Sequence, residues 1–319
     1  MDRTDHPMPR FVTITPNPAL DVSTSVDKLV DAHKLRCDAP QVHPGGGGIN
    51  VARVLHRLGA QVQALYPAGG ATGERLQGLL NAEGVPDQCW TIAGETRESW
   101  NVHERESGRE YRFVLPGPTL SGAEWADGLA CLRRLSASAA WVVASGSLPL
   151  GVPADGHAQI ARVAKDVGAR MVLDSSGAAL ASALAQGVWL VKPSLRELAQ
   201  LSHEDLTTPD QQRQAARRLI ECGQAQIVAL SLGSQGAMLV TADQCLHAAA
   251  PSVPLRSSVG AGDSFLAALV WALDQQGDLR QALAMAMAAG AATVMSSGTA
   301  LCQPQDVARL REQVHIETC

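Results

Sequence analysis

The sequence predicts an α/β fold, a mostly parallel central sheet with helices on both faces and a small β-sheet lid. Three observations predict it. Short apolar runs, each ending at small polar residues, alternate with helical patterns along most of the chain. The 29 Gly and 17 Pro supply the turns that this alternation needs. One polar segment, 98–116, breaks the rhythm with the alternating faces of a hairpin, and packs better as an excursion than inside the sheet.

Taken in order, Phe11-Val-Thr-Ile-Thr15 reads as a buried first strand, turned by Pro16-Asn-Pro18. Asp21 follows at its carboxyl end, where open α/β sheets collect ligands. Lys34-Leu-Arg-Cys37 precedes the run Gly45, Gly46, Gly47, Gly48, Ile49, Asn50. Consecutive glycines have nothing to pack, so either something approaches that backbone closely or the segment is a hinge. It is not a Walker A loop, since no Lys-Ser or Lys-Thr follows at the required position. A helix over 49–58 closes at Gly59. A strand at 61–66, a Gly-rich turn and a helix at 74–83 come next. The hairpin, with about 22–43, would form the lid. Arg97 and Arg112 sit at its edges, where either could grip a phosphate bidentately, although most arginines are solvated surface.

Beyond a helix at 121–135 the alternation resumes. Strand cores at 141–144, 171–173, 188–191 and 227–230 end at Ser145-Gly-Ser147, Asp174-Ser-Ser-Gly177, Lys192-Pro-Ser194 and Ser231-Leu-Gly-Ser-Gln-Gly236. Helical patterns at 153–167, 178–186, 195–202 and 208–222 separate them. Late in the chain Val259-Gly-Ala-Gly-Asp263 leads into an amphipathic helix marked by Phe265, Leu266, Leu269, Val270 and Leu273. Free N–H groups at such a helix start, with the dipole behind them, suit an anion. Asp263 places a carboxylate there, which an anion would repel. It is either an ordinary cap or a general base beside a phosphoryl group in transfer.

Composition excludes several classes. A net charge of −5 argues against nucleic acid and anionic membranes as partners. Seven Cys without a CxxC pair point to reduced thiols and a cytoplasmic protein. No apolar run reaches the length of a membrane span, and the start MDRTDHPMPR lacks a signal-peptide core. The nine His show no HExxH, and no metal-ligand spacing or GxSxG elbow is present. Gly262-Asp-Ser-Phe265 looks like the GDS start of some esterases. Here, however, the motif lies late, and Asp306 is followed at the third position by Arg309 instead of His.

On these motifs the chain resembles the PfkB or ribokinase family of sugar kinases along nearly its full length. The early glycine stretch through Asn50 and the late Val259-Gly-Ala-Gly-Asp263, in that order and at that distance, carry the resemblance. Within the family, Asn17-Pro-Ala-Leu-Asp21, Lys34-Leu-Arg-Cys37, Pro44-Gly-Gly-Gly-Gly-Ile-Asn-Val-Ala-Arg53 and Pro67-Ala-Gly-Gly-Ala-Thr-Gly73 are most similar to the branch that phosphorylates fructose 6-phosphate. The sister branches, 1-phosphofructokinases and tagatose-6-phosphate kinases, usually carry Lys where Gly47 stands, and Gly47 would leave room and no charge beside the sugar.

The resemblance implies a single ribokinase-like domain over 1–319, with lid segments at about 22–43 and 98–115. It implies Asp263 as the base and Gly260, Ala261 and Gly262 as an anion hole. Asp21, Gly45 to Gly48 and Asn50 would meet the sugar, and Arg97, Arg112 and Ser147 its existing phosphate. Lys34 would be a lid lysine near the reacting phosphates. Lys192, Ser194, Glu197, Ser231, Gly233 and Gly236 would surround ATP, used with Mg²⁺. Ser257, Val259, Thr293, Ser296, Gly298 and Ala300 match positions that hold K⁺, largely through carbonyls. A homodimer closed by the lid is also implied. One departure is that the family's Asn-x-x-Glu, tied to Mg²⁺ placement, is Ser194-Leu-Arg-Glu197, where a water would fill the gap left by the shorter side chain. The alternative outside enzymology is a catalytically silent sugar-phosphate sensor, favoured by loss of Asp263 or of the glycine loop; both are present.

Overall fold

The computed structural model describes residues 9–275 and 278–319, so the first eight residues, where no signal-peptide core was read, lie outside the described residues. The chain opens with β1 (Phe11–Ile14), β2 (Ala19–Val26), β3 (Gln41–Gly45), α1 (Gly47–Arg57), β4 (Val62–Ala68), α2 (Gly70–Ala82) and β5 (Asp87–Thr91). It continues through β6 (Arg97–Glu104), β7 (Glu110–Val114), α3 (Gly122–Leu135), β8 (Trp141–Ser145), α4 (Gly156–Asp166), β9 (Arg170–Asp174), α5 (Gly177–Leu184) and β10 (Val188–Val191). Then come α6 (Leu195–Ser202), α7 (Pro209–Glu221), β11 (Ala225–Ser231), β12 (Ala237–Val240), β13 (Cys245–Ala248), α8 (Ala261–Gln275), α9 (Leu279–Val294), α10 (Pro304–Arg311) and β14 (Ile316–Thr318).

Among the described residues, ten strands form the main sheet in the order β14-β13-β12-β11-β10-β9-β8-β1-β4-β5. Every pairing from β5 to β11 is parallel, as the recurring strand, polar tip and helix predict. β12, β13 and β14 add an antiparallel edge that the sequence pattern did not announce. These strands of three or four residues are too short to show a period. Two apolar layers cover the faces. Ile49, Val51, Leu55, Leu266, Leu269, Ala286 and Ala289 pack on one face from α1, α8 and α9. Leu132, Ile160, Ala164, Leu180 and Ala216 pack on the other from α3, α4, α5 and α7. The β1 strand lies between β4 and β8, so the chain winds outward from it both ways. The crevice outside its carboxyl end is therefore the topological switch point.

The second sheet has the order β3-β2-β6-β7, with β2 and β6 paired in parallel over eight residues. It starts at Ala19 rather than near residue 22, and residues 27–40 form an exposed connection rather than strand. Half of that stretch is charged or His, without the alternation a sheet edge requires. Among the described residues no helix is long and apolar enough to cross a membrane.

The expectation that all seven Cys are reduced thiols is corrected. Cys245 and Cys319, 74 residues apart in sequence, are joined as a disulfide with their Cα atoms 5.2 Å apart. Antiparallel pairing of β13 with β14 brings them together, a contact that spacing could not reveal. The Cys319→Ser variant is expected to lose about 2–4 kcal/mol of stability under oxidising conditions. Urea unfolding with and without reductant reads this. A variant that matches the wild type without reductant would show that the bridge contributes nothing.

Candidate functional site

The site assembles at the carboxyl tips of β1, β8, β9, β10 and β11, facing the N-terminus of α8 and roofed by the small sheet. Gly260, with φ +77°, turns the chain into α8, where Ser264 N–H returns to the Gly260 carbonyl at 2.9 Å. Among the described residues the Gly262 and Asp263 N–H groups make no hydrogen bond. They point out of a helix start, so an anion placed there gains both donors and the dipole.

Asp263 lies in the first turn of α8, and its Oδ2 accepts a hydrogen bond from Asn50 Nδ2 at 2.8 Å. The pair joins the two glycine motifs across 213 residues of sequence. Burial pushes the Asp263 carboxyl up to about 6, with help from the nearby charge of Asp174 and against the pull of Lys192 and Arg112. Asp21 on β2 is likewise pushed up to about 6 by burial, opposed by Arg112, Arg53 and Arg97. Arg112 thus faces both carboxylates. It is exposed on β7, opposite Asn101.

The glycine run is neither hinge nor open space. A Cβ on Gly45 would fall 2.2 Å from Asp21 Oδ2, and one on Gly48 2.6 Å from the Ile14 carbonyl. One on Gly46 would meet Thr15 Cγ2 at 2.6 Å, and one on Gly47 would meet Ser145 Oγ at 2.1 Å. What comes close is the protein itself, because α1 starts directly against the tips of β1 and β8. The expectation that Gly47 leaves room is therefore corrected: its space is filled by Ser145, and any larger residue there requires the tip of β8 to move.

Arg97 donates to three carbonyls, Pro18 O at 3.3 Å, Leu115 O at 3.1 Å and Asn17 O at 3.0 Å. A guanidinium has five N–H donors, so a minority remain for a ligand. Arg97 first of all clamps the lid to the β1 tip. Ser147 is exposed at the tip of β8, and its Oγ accepts from Asn17 Nδ2 at 3.2 Å. Lys34 sits in the exposed connection after β2 and makes no hydrogen bond or ion pair among the described residues.

Lys192, buried at the end of β10, pairs with Asp174 Oδ1 at 3.1 Å. Burial pulls its pKa down, yet Asp174, Asp263 and Glu197 together hold the ammonium above its ordinary value. Asp174 is the site residue that sequence reading passed over. Its position at a polar strand tip was visible, but its pairing with Lys192 and its closeness to Asp263 depend on the fold. Ser194 and Glu197 form a reciprocal cap on α6: Ser194 Oγ accepts from Glu197 N–H at 3.3 Å, and Glu197 Oε2 accepts from Ser194 N–H at 2.8 Å. This accounts for a Ser at that position without a water, since Ser is a favoured N-cap. Next to it lies a cavity of about 730 Å³, lined by Ser231, Gly233, Gly236, Ala250, Gly262 and Phe265 among others. Its size and its largely apolar wall suit a nucleotide base and ribose.

No group of three or more acidic, His or Cys side chains could cage a metal among the described residues. Asp174 and Glu197 both lie close enough to Lys192 to raise its pKa. The six positions expected for K⁺ fare less well. Ser257 and Gly298 line one cavity, and the Ser257 N–H donates to the Val294 carbonyl at 3.3 Å where the loop before α8 meets the end of α9. The hydroxyl of Thr293 is engaged with Ser264 and the Ala289 carbonyl. The Ala300 carbonyl accepts from Arg57 Nη1 at 2.6 Å, and a guanidinium on that oxygen repels a cation. Of the set, the Ala300 carbonyl does not fit a cation site.

Residues 19–306 match the model of the pfkB family carbohydrate kinases. The chain is 46% identical over 308 residues to an ATP-dependent 6-phosphofructokinase isozyme 2 of Mycobacterium tuberculosis, covering 97% of this chain and 91% of that one. A crystal structure of Escherichia coli phosphofructokinase-2 with potassium superposes with a TM-score of 0.91 at 40% identity, covering 96% of this chain and 99% of the other. One of the same enzyme with fructose-6-phosphate gives 0.90 at 39% identity, with the same 96% and 99% coverage.

Proposed function

The chain belongs to the PfkB family of carbohydrate kinases, and from that premise we propose that it transfers the γ-phosphoryl group of ATP to the 1-hydroxyl of fructose 6-phosphate. The observation that carries the reading is the Asn50–Asp263 pair set beside the open N-terminus of α8. Asp263 takes the proton of the attacking hydroxyl. The N–H groups around Gly260, Ala261 and Gly262 receive charge on the transferring group. Asn50 orients the base, and Asp21, propped against Gly45, holds sugar hydroxyls. Arg112, with Ser147 and the remaining donors of Arg97, holds the phosphate already on the sugar. ATP lies along the β11 tip and α8, its base in the cavity beside Gly236. Glu197 and Asp174 lie where a Mg²⁺ carried on its phosphates would be held, and that ion would supply charge neutralisation. Lys34 reaches the phosphates from the lid connection. No step is assigned to K⁺.

ATP consumption measured on fructose 6-phosphate, fructose 1-phosphate, tagatose 6-phosphate and fructose tests the substrate. Fructose 6-phosphate should give the highest kcat/KM. Tagatose 6-phosphate, which differs at one hydroxyl, should retain a side activity lower by about one hydrogen bond, near 1 kcal/mol. Arg112→Ala should raise KM for the phosphosugar about 10- to 150-fold, the loss of a charge-assisted contact of about 1.5–3 kcal/mol, with KM for ATP nearly unchanged. A higher kcat/KM on free fructose or fructose 1-phosphate defeats this assignment.

The lid also supports a homodimer. Trp100 and Phe113, cross-strand neighbours on the face turned away from Asp21, are 39% and 51% exposed. A four-stranded sheet with an apolar outer face is best covered by the same face of a second copy. Light scattering at micromolar concentration should give twice the chain mass, and the Phe113→Glu variant a monomer. A wild-type monomer with full activity rules the dimer out.

A further inference from the structure

His157 stands on α4, behind the tip of β8 and away from the reacting groups. Its side chain is fully buried, 0% exposed, and its Nε2 lies 3.0 Å from the Gly146 carbonyl. A carbonyl only accepts, so Nε2 carries the proton. Nδ1 is buried without a partner. Burial lowers the imidazole pKa to about 4, which keeps the ring neutral and in this one tautomer at working pH. A buried histidine that leaves one nitrogen unsatisfied costs stability. A leucine in the same buried place would carry no such cost. The retained imidazole therefore calls for an account of the one bond it makes.

That bond fixes a peptide plane. The Gly146 carbonyl and the Ser147 N–H belong to the same planar trans unit and point in opposite directions. With the carbonyl turned back to His157, and also receiving Ser175 Oγ at 3.3 Å, the Ser147 N–H faces forward to the cleft, where Ser147 is exposed. This N–H makes no hydrogen bond among the described residues. Gly146 has φ +110°, in a region where glycine turns freely, so nothing intrinsic to the chain holds the peptide in this orientation. Its own N–H is tied to the Asp174 carbonyl at 3.0 Å, which leaves the following peptide as the part free to rotate.

We propose that His157 is a positioning residue for the phosphosugar, holding the peptide between Gly146 and Ser147 so that the Ser147 N–H is presented to the substrate as a hydrogen-bond donor. The inference rests on the reading of the β8 tip as part of the sugar-phosphate site. Its reach is specific: the imidazole touches neither nucleotide nor base, so it acts on the affinity for one substrate alone.

His157→Leu removes the donor at similar volume. It should raise KM for fructose 6-phosphate about 5- to 10-fold, the equivalent of one hydrogen bond, with KM for ATP within about twofold. His157→Gln keeps an N–H within reach of the Gly146 carbonyl and should restore most of the affinity. His157→Asn, too short to reach, should not. Should the Leu variant fail to fold in a thermal melt, the comparison of Gln with Asn decides the matter. The proposal is overturned if the Gln and Asn variants have equal KM for the sugar, or if the sugar and ATP constants move together. Amide exchange of 145–148 in the wild type separates the two readings. Protection by fructose 6-phosphate together with unchanged KM in the variants overturns the role of His157 alone. No protection overturns the sugar site at this tip and the role of His157 with it.

Discussion

Asp263→Asn is expected to lower kcat about 10²- to 10⁴-fold while leaving KM for sugar and nucleotide within a few-fold. The amide keeps the size of the side chain and can still pair with Asn50, but it takes up no proton. The same variant should be at least as heat-stable as the wild type. Burial holds the Asp263 carboxyl at about 6, above its unfolded value, so the ionised form costs the folded state stability above that pH, and Asn removes the cost. An activity loss with a raised or unchanged Tm therefore separates chemistry from misfolding. In the wild type, kcat/KM should fall as pH drops through about 6, because the base must be ionised to accept the proton. Asp21 is raised to the same range and feels the charge of Asp263, so that limb belongs to the pair. Turnover of the Asn variant within a few-fold of wild type would remove Asp263 from the role of base.

Arg53→Met should cost about 3–5 kcal/mol of stability, the penalty for breaking a buried ion pair from one side. Arg53 is fully buried, 0% exposed, and grips Glu83 through Nε at 2.9 Å and Nη2 at 2.6 Å. Its Nη1 donates to the Pro44 and Thr299 carbonyls, both at 3.1 Å. The residue therefore ties the glycine run to the loop after α9, on either side of the Asn50–Asp263 contact. In the variant both carbonyls would lose this donor, and Glu83 would keep Arg57 Nη2 at 3.2 Å as its remaining partner. The double variant with Glu83→Gln should recover part of the loss, since the carboxylate is left with one guanidinium, Arg57, where it had two. Urea unfolding reads both variants. A single variant within about 1 kcal/mol of wild type would mean that water replaces the guanidinium at little cost.

The alternation of apolar runs, polar tips and amphipathic helices determined the α/β class and the parallel order of most strands, because those periods are local and each tip residue follows its own strand. The glycine run with Asn50 and the Gly-Ala-Gly-Asp263 turn were equally legible, since a backbone that needs glycine writes it into the sequence. Long-range contacts were not. That Arg97 spends most of its donors on the lid and β1, that Ser145 fills the space beside Gly47, and that Asp174 pairs with Lys192 near Asp263 depend on which strand tips become neighbours. Cys245 and Cys319 meet only because β13 and β14 pair, and Arg57 reaches the Ala300 carbonyl across 243 residues of sequence. His157 gives no signal in the sequence at all. Its partner is a carbonyl, a group every residue carries, and only the packing of α4 against the β8 tip decides which one it holds.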